Sequence, residues 1–117
     1  FVRMFNMESQ AYKDLSEDMQ LVDSGFQHLA KKEYEMAGRF FKNAMGLAPE
    51  NATALYHVAR VNERMGETAT ALRLYEKIIE SNLETIATRA SDDSELGLSF
   101  ATLARRRLNQ LNTESSD

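Results

Sequence analysis

One pattern of small and bulky residues occurs twice along this chain, about 34 residues apart, and no other feature restricts the fold so tightly. The first copy reads Leu21, Ser24, Gly25 and His28, then Ala37, Phe41, Ala44 and Pro49. The second reads Leu55, Val58, Ala59 and Asn62, then Ala71, Tyr75, Ile78 and Leu83. In each copy, steps of three and four residues put the members on one stripe of each of two helices. A unit of this size cannot bury its stripe alone, so such units stack as helical hairpins and work by presenting a surface.

Composition narrows the classes of function. The 117 residues make one domain, large enough to bury a core without a covalent staple. Eighteen acidic side chains against fourteen basic ones give a net charge of −4, the wrong sign for holding phosphate backbones, so nucleic acid is not an expected partner. No apolar run has the length to span a bilayer, which argues against direct membrane insertion of this segment. The absence of cysteine excludes disulfides and thiolate metal sites and fits either redox compartment. His28 and His57 lie far apart, without an HExxH pair or a carboxylate at ligand spacing. There is also no glycine-rich phosphate loop and no nucleophile–base pairing. The expectation is a binding protein with no metal, no cofactor and no catalytic residues. The chain opens on Phe1 and not on Met, which reads as a piece of something longer or a processed product and leaves localisation open.

One proline, five glycines and abundant Ala, Leu, Glu and Arg favour helix throughout, giving an all-α fold. Ala11, Leu15, Met19, Val22, Phe26 and Leu29 line a helix over about residues 10–31. After the polar turn Lys31-Lys32-Glu33, the stripe Tyr34, Ala37, Phe40, Phe41, Ala44 and Met45 runs to Pro49. Asn51 is placed to cap a third helix, Gly66 to end it, and Thr68 to cap a fourth. With Leu83 in the place of a proline, apolar residues continue through Ile86, Ala87 and Ala90, so the fourth helix is expected to overrun. Asp92 and Glu95 have capping-box spacing, predicting a last helix from near 94 that carries Leu96, Phe100, Leu103, Ala104, Leu108 and Leu111. Arg105, Arg106 and Arg107 would fall in its last turns, opposing the helix dipole. The division is thus 1–15 as an extension of the first helix, 16–90 as two hairpins, 91–111 as a closing helix and 112–117 as a disordered tail.

Over about residues 18–85 the two units resemble tetratricopeptide repeats. Gly25, Ala37 and Ala44 match the family's small residues, Tyr34 and Phe41 its packing aromatics, and Pro49 its helix-ending proline. In the second unit Leu55, Val58, Ala59, Gly66, Ala71 and Tyr75 match. Departures are Leu21, Ser24 and His28 in the first unit, and Ile78 and Leu83 in the second. The resemblance implies a short right-handed superhelix of antiparallel hairpins with a C-terminal closing helix. It also implies an adaptor or scaffold whose concave groove, lined by the first helix of each unit, holds a peptide or helix of a partner protein. The lysines and asparagines with which some members clamp an acidic C-terminal peptide are not matched.

The positions matching that groove are Met19, Val22, Phe26 and Leu29, then Thr53, Tyr56, His57, Arg60 and Arg64. Met19, Val22 and Phe26 would anchor an apolar ligand, His57 would sit on the groove surface, and Tyr56, Arg60 and Arg64 would orient the ligand and select negative charge. Leaving so many apolar side chains in water is costly, at roughly 1.5–3 kcal/mol each, so something should cover them. The cover could be the molecule's own N-terminal segment, a preceding repeat or the closing helix folding back, or else a second copy or a distinct protein. The rival function is therefore homo-oligomerisation, through the groove or by exchange of the closing helix.

Overall fold

The computed structural model describes residues 15–81, 85–89 and 93–115. Small residues decide where its helices touch. Helix α1 (Glu17–Ala30) and α2 (Tyr34–Leu47) form the first hairpin, and α3 (Ala52–Arg64) and α4 (Thr68–Glu80) the second. A methyl group built at Gly25 would stand 2.8 Å from the Phe41 ring, so only glycine lets α1 lie this close to α2. Ala37 and Ala44 on α2, and Ala59 and Ala71 in the second hairpin, are fully buried at the corresponding contacts. Consecutive helices pack on one another, and α5 (Phe100–Ser115) closes the row against α4 and α3. The chain is all-α, and extended pairing among the described residues is an isolated antiparallel bridge between Ile86 and Ser99.

The two hairpins turn in the same way. Lys32 and Gly66, separated by the repeat length, both take left-handed backbone, with φ of 63° and 81°. In each turn the next amide reaches back to the preceding helix, Glu33 to the His28 carbonyl at 2.9 Å and Glu67 to the Asn62 carbonyl at 2.8 Å. Orphan carbonyls at both helix ends are satisfied in this way. Asn51 caps α3 as expected, accepting from the Ala54 amide at 3.1 Å, and its amide group donates to Asp18 at 2.8 Å, which ties the starts of α3 and α1 together. Hydrogen bonds from Ser16 and then Asn51 hold the Asp18 carboxyl below the usual range.

The second half departs from expectation at both ends. Helix α4 does not overrun; it stops at Glu80, where the Ser81 amide makes a last helical bond to the Lys77 carbonyl. Thr85 to Arg89 are not helical, while Ala90 and the Asp92 capping position lie outside the described residues. Asp93–Glu95 form a single 3₁₀ turn, and the closing helix begins at Phe100, not near 94. Its cap is Ser99, whose hydroxyl accepts from the Thr102 amide at 3.2 Å. The helix continues to Ser115, so residues 112–115 are helix and not tail, and Arg105–Arg107 lie in its middle and not in its last turns. Residues 10–14 of the predicted first helix, and with them nearly all of the 1–15 extension, lie outside the described residues, which begin at Leu15, and the helix itself begins at Glu17.

Two apolar clusters form the core. One joins Val22, Phe26 and Leu29 of α1 to Phe41, Ala54 and Val58. The other joins Leu55, Tyr56, Tyr75 and Ile78 to Ala87, Phe100, Leu103 and Leu111. Ala87, from the segment after α4, is as deeply buried as the helical members.

Candidate partner-binding groove

The side on which α1 and α3 meet is already occupied. Residues 85–89 and 97–100 cross it as two paired stretches: the Ala87 amide donates to the Leu98 carbonyl and the Gly97 amide to the Ala87 carbonyl, both at 2.8 Å, and the Phe100 amide donates to the Thr85 carbonyl at 2.9 Å. The cover comes from the chain itself, but from the stretch between α4 and α5, which is none of the own-chain covers expected.

This cover changes the status of the expected groove residues. Val22, Phe26, Tyr56 and His57 are buried, and Met19 alone among the apolar anchors stays exposed, at 37%. Phe26 lies beneath the Arg89 guanidinium, 4.6 Å from its ring centre, and the same guanidinium pairs with the Asp23 carboxylate one turn earlier on α1. The Tyr56 hydroxyl donates to Glu95, from the 3₁₀ turn, and its ring packs on Phe100. Burial, with the Glu95 carboxylate beside it, pushes the Tyr56 hydroxyl far above the usual tyrosine range. Tyr56 therefore fastens the cover in place and does not face a ligand.

His57 is not a surface residue. It is 1% exposed, with its ring 4.7 Å from Phe26, 5.1 Å from Phe41 and 5.3 Å from Tyr56. Its Nδ1–H donates to the Thr53 carbonyl at 2.8 Å, and Nε2 has no protein partner. Burial drives its pKa from 6.5 down to about 4, so the ring is neutral at pH 7. The sequence gives no warning of this, because the residues that bury His57 come from three other helices.

Arg60 and Arg64 do not act together. The four residues between them are just over one turn, an offset of about 40°, and their side chains go to different neighbours. Arg60 faces α5, pairs with Glu63 at 3.5 Å, and lines a polar pocket of about 160 Å³ with Tyr56, Glu95 and Arg107. Arg64 points toward α2, with its guanidinium 4.7 Å from the centre of the Tyr34 ring. The charged groups that do matter here, Asp23, Arg89, Glu63, Glu95 and Arg107, pair across long separations that no local pattern announces.

What remains open is a cleft of about 190 Å³ beside the Arg89–Asp23 pair, walled by Leu15, Met19, Val22, Phe26, Thr53 and Thr88. Among the described residues no group of three or more His, Cys, Asp or Glu could hold a metal ion, and no helix is long and apolar enough to cross a membrane. Comparison of the chain with protein-family models, with curated proteins and with solved structures finds no significant match.

Proposed function

We propose that this chain is a protein-interaction module of the tetratricopeptide kind, which takes up a peptide or helix of a partner protein on the side where α1 and α3 meet. The observation that carries this reading is that this side binds a peptide segment in cis: a non-helical stretch, Thr85 to Arg89, seated over Phe26 and paired with Asp23. A site that holds one extended segment by a buried alanine, an arginine over Phe26 and backbone bonds to residues 97–100 has the chemistry to hold another of the same form. With that segment lifted, the charge left beside the apolar wall is the Asp23 carboxylate, so the selection for negative charge expected from Arg60 and Arg64 is replaced by selection for positive charge.

The test is selection of peptides from a random display library on the full chain. Enriched peptides should bind the protein and a remote surface variant, Lys42→Ala, alike, and lose binding to Met19→Asp. No enrichment, or enriched peptides indifferent to Met19→Asp, would reject the module.

One observation favours homo-oligomerisation as a second reading. Helix α5 packs on α4 and α3 but connects to them through a single stretch after Glu80, so the α5 of a second copy could take the same seat. Light scattering across concentration separates the two. A constant mass near 13.3 kDa belongs to the module, and a dimer at all concentrations belongs to the exchange.

A further inference from the structure

Building on that reading of the groove, we infer that its partner is an extended segment bearing an arginine next to a large apolar residue, and that this segment binds by displacing the chain's own residues 85–89.

The internal segment shows what the site recognises. Arg89 offers one face of its guanidinium to the Phe26 ring and its N–H groups to Asp23, two demands that a planar, always-charged fork meets and an ammonium meets less well. The same segment leaves the neighbouring cleft unfilled. Thr88 is the side chain it presents there, against walls of Leu15, Met19 and Val22, and the open volume is about 190 Å³. A ligand that repeats the backbone bonds to residues 97–100, the buried alanine and the arginine contact, and adds an apolar side chain in the place of Thr88, makes every contact the internal segment makes and one more.

The internal segment is also weakly held. Ile86, Thr88 and Arg89 are all exposed, Arg89 by half, and only Ala87 is deeply buried. Its hold is chiefly three backbone hydrogen bonds and an ion pair of the partly exposed kind that contributes little on its own. Its advantage is covalent attachment, which gives it a high effective concentration at the site. A free ligand therefore meets a groove that is open for only a fraction of the time, and its apparent affinity is reduced by that fraction.

The probe is a fluorescein-labelled peptide with the sequence of residues 85–89 in which leucine takes the place of Thr88, the residue at the cleft, read by anisotropy against the full chain. Its counterpart has the arginine replaced by glutamine. Arg89→Ala, a substitution at an exposed position, should raise affinity for the arginine peptide about tenfold over wild type. Adding Asp23→Asn to that variant, or using the glutamine peptide, should abolish the gain. Ala87→Asp, checked for retained helix and cooperative melting, opens the same segment by a second route and should give the same rise. Equal affinity for wild type and for both opened variants overturns the competition. Equal affinity for the two peptides overturns the arginine preference while leaving the groove reading in place if Met19→Asp removes binding. No binding of either peptide to an opened, folded variant overturns the inference outright, and the display selection then decides the module separately.

Discussion

The Arg107 guanidinium of α5 grips the Glu63 carboxylate of α3 through two nitrogens, Nε at 2.9 Å and Nη2. Glu63 also accepts from the Tyr75 hydroxyl of α4 and lies 3.5 Å from Arg60. One carboxylate thus joins three helices. Burial by itself would raise its pKa, but the bonds from Arg107 and Tyr75 outweigh that and hold it below the usual range. The same pair raises Arg107 and leaves it charged at any ordinary pH.

Removing that hub should be expensive. Glu63→Ala strands the Tyr75 hydroxyl and two guanidinium groups, and is expected to lower unfolding free energy by roughly 2–4 kcal/mol. Arg107→Ala, at a more exposed partner, should cost less. Urea titrations of both and of the double variant check this. The double variant should lose clearly less than the sum, because each substitution removes the same bonds.

His57 gives the fold a pH dependence of defined sign. Its folded pKa is about 4 and its ordinary value 6.5, so between these the unfolded chain binds a proton that the folded chain does not. Stability should therefore fall as pH drops from 6.5 toward 4, by roughly 3 kcal/mol in all, and this group contributes no slope above that range. Glu63 acts in a separate window: its contribution is present above the ordinary carboxylate value of 4.5 and is lost at lower pH. His57→Leu should flatten the urea midpoint between pH 6.5 and 4 while keeping the fall below 4.5. A slope unchanged by the substitution would mean that another group carries it.

The helical hairpins were legible because their packing is local. Asn51 as a cap and Gly66 at a left-handed turn declare themselves within a few residues, and Gly25 meets Phe41 within a single hairpin. The end of the row was not legible. Asp92 and Glu95 imitate a helix start, whereas Glu95 is used by Tyr56, 39 residues earlier, and the true cap at Ser99 follows a turn made by Gly97 with φ of 83°. Whether the groove residues face water is not legible for the same reason. Their spacing gathers them on α1 and α3, but their exposure depends on Ala87, Arg89 and Phe100, whose positions are set by tertiary contacts alone.

Gly25→Ala should destabilise by about 1–3 kcal/mol, since its methyl group would enter the Phe41 ring, which is itself fixed against Phe26 and His57. Phe41→Leu introduced into that variant should lessen the added cost of the alanine, although Phe41→Leu alone is destabilising. Thermal melts of the four proteins test whether the contact is the cause.

The paired turns predict opposite responses at equivalent positions. Lys32→Gly should stabilise by about 0.5–1 kcal/mol, because a left-handed lysine is replaced by the residue that takes this backbone freely. Gly66→Ala should cost about 1 kcal/mol, although a methyl group there meets nothing within 4 Å, because the penalty is in the backbone. Melting temperatures that move in the same direction would show the two turns to be energetically different.

The setting of His57 has a consequence for watching this molecule at work. Rings from α1, α2, α3 and α5 surround its imidazole, with centroids 4.7 Å (Phe26), 5.1 Å (Phe41), 5.3 Å (Tyr56) and 6.3 Å (Phe100) away. Circulating π electrons in those rings add magnetic fields that depend steeply on distance and tilt, so the His57 ring protons should resonate far from their positions in a free histidine. A shift of that line registers any lifting of Phe100 or tilting of α1, and one proton, followed by NMR in an unlabelled protein, reports the seating of four helices at once.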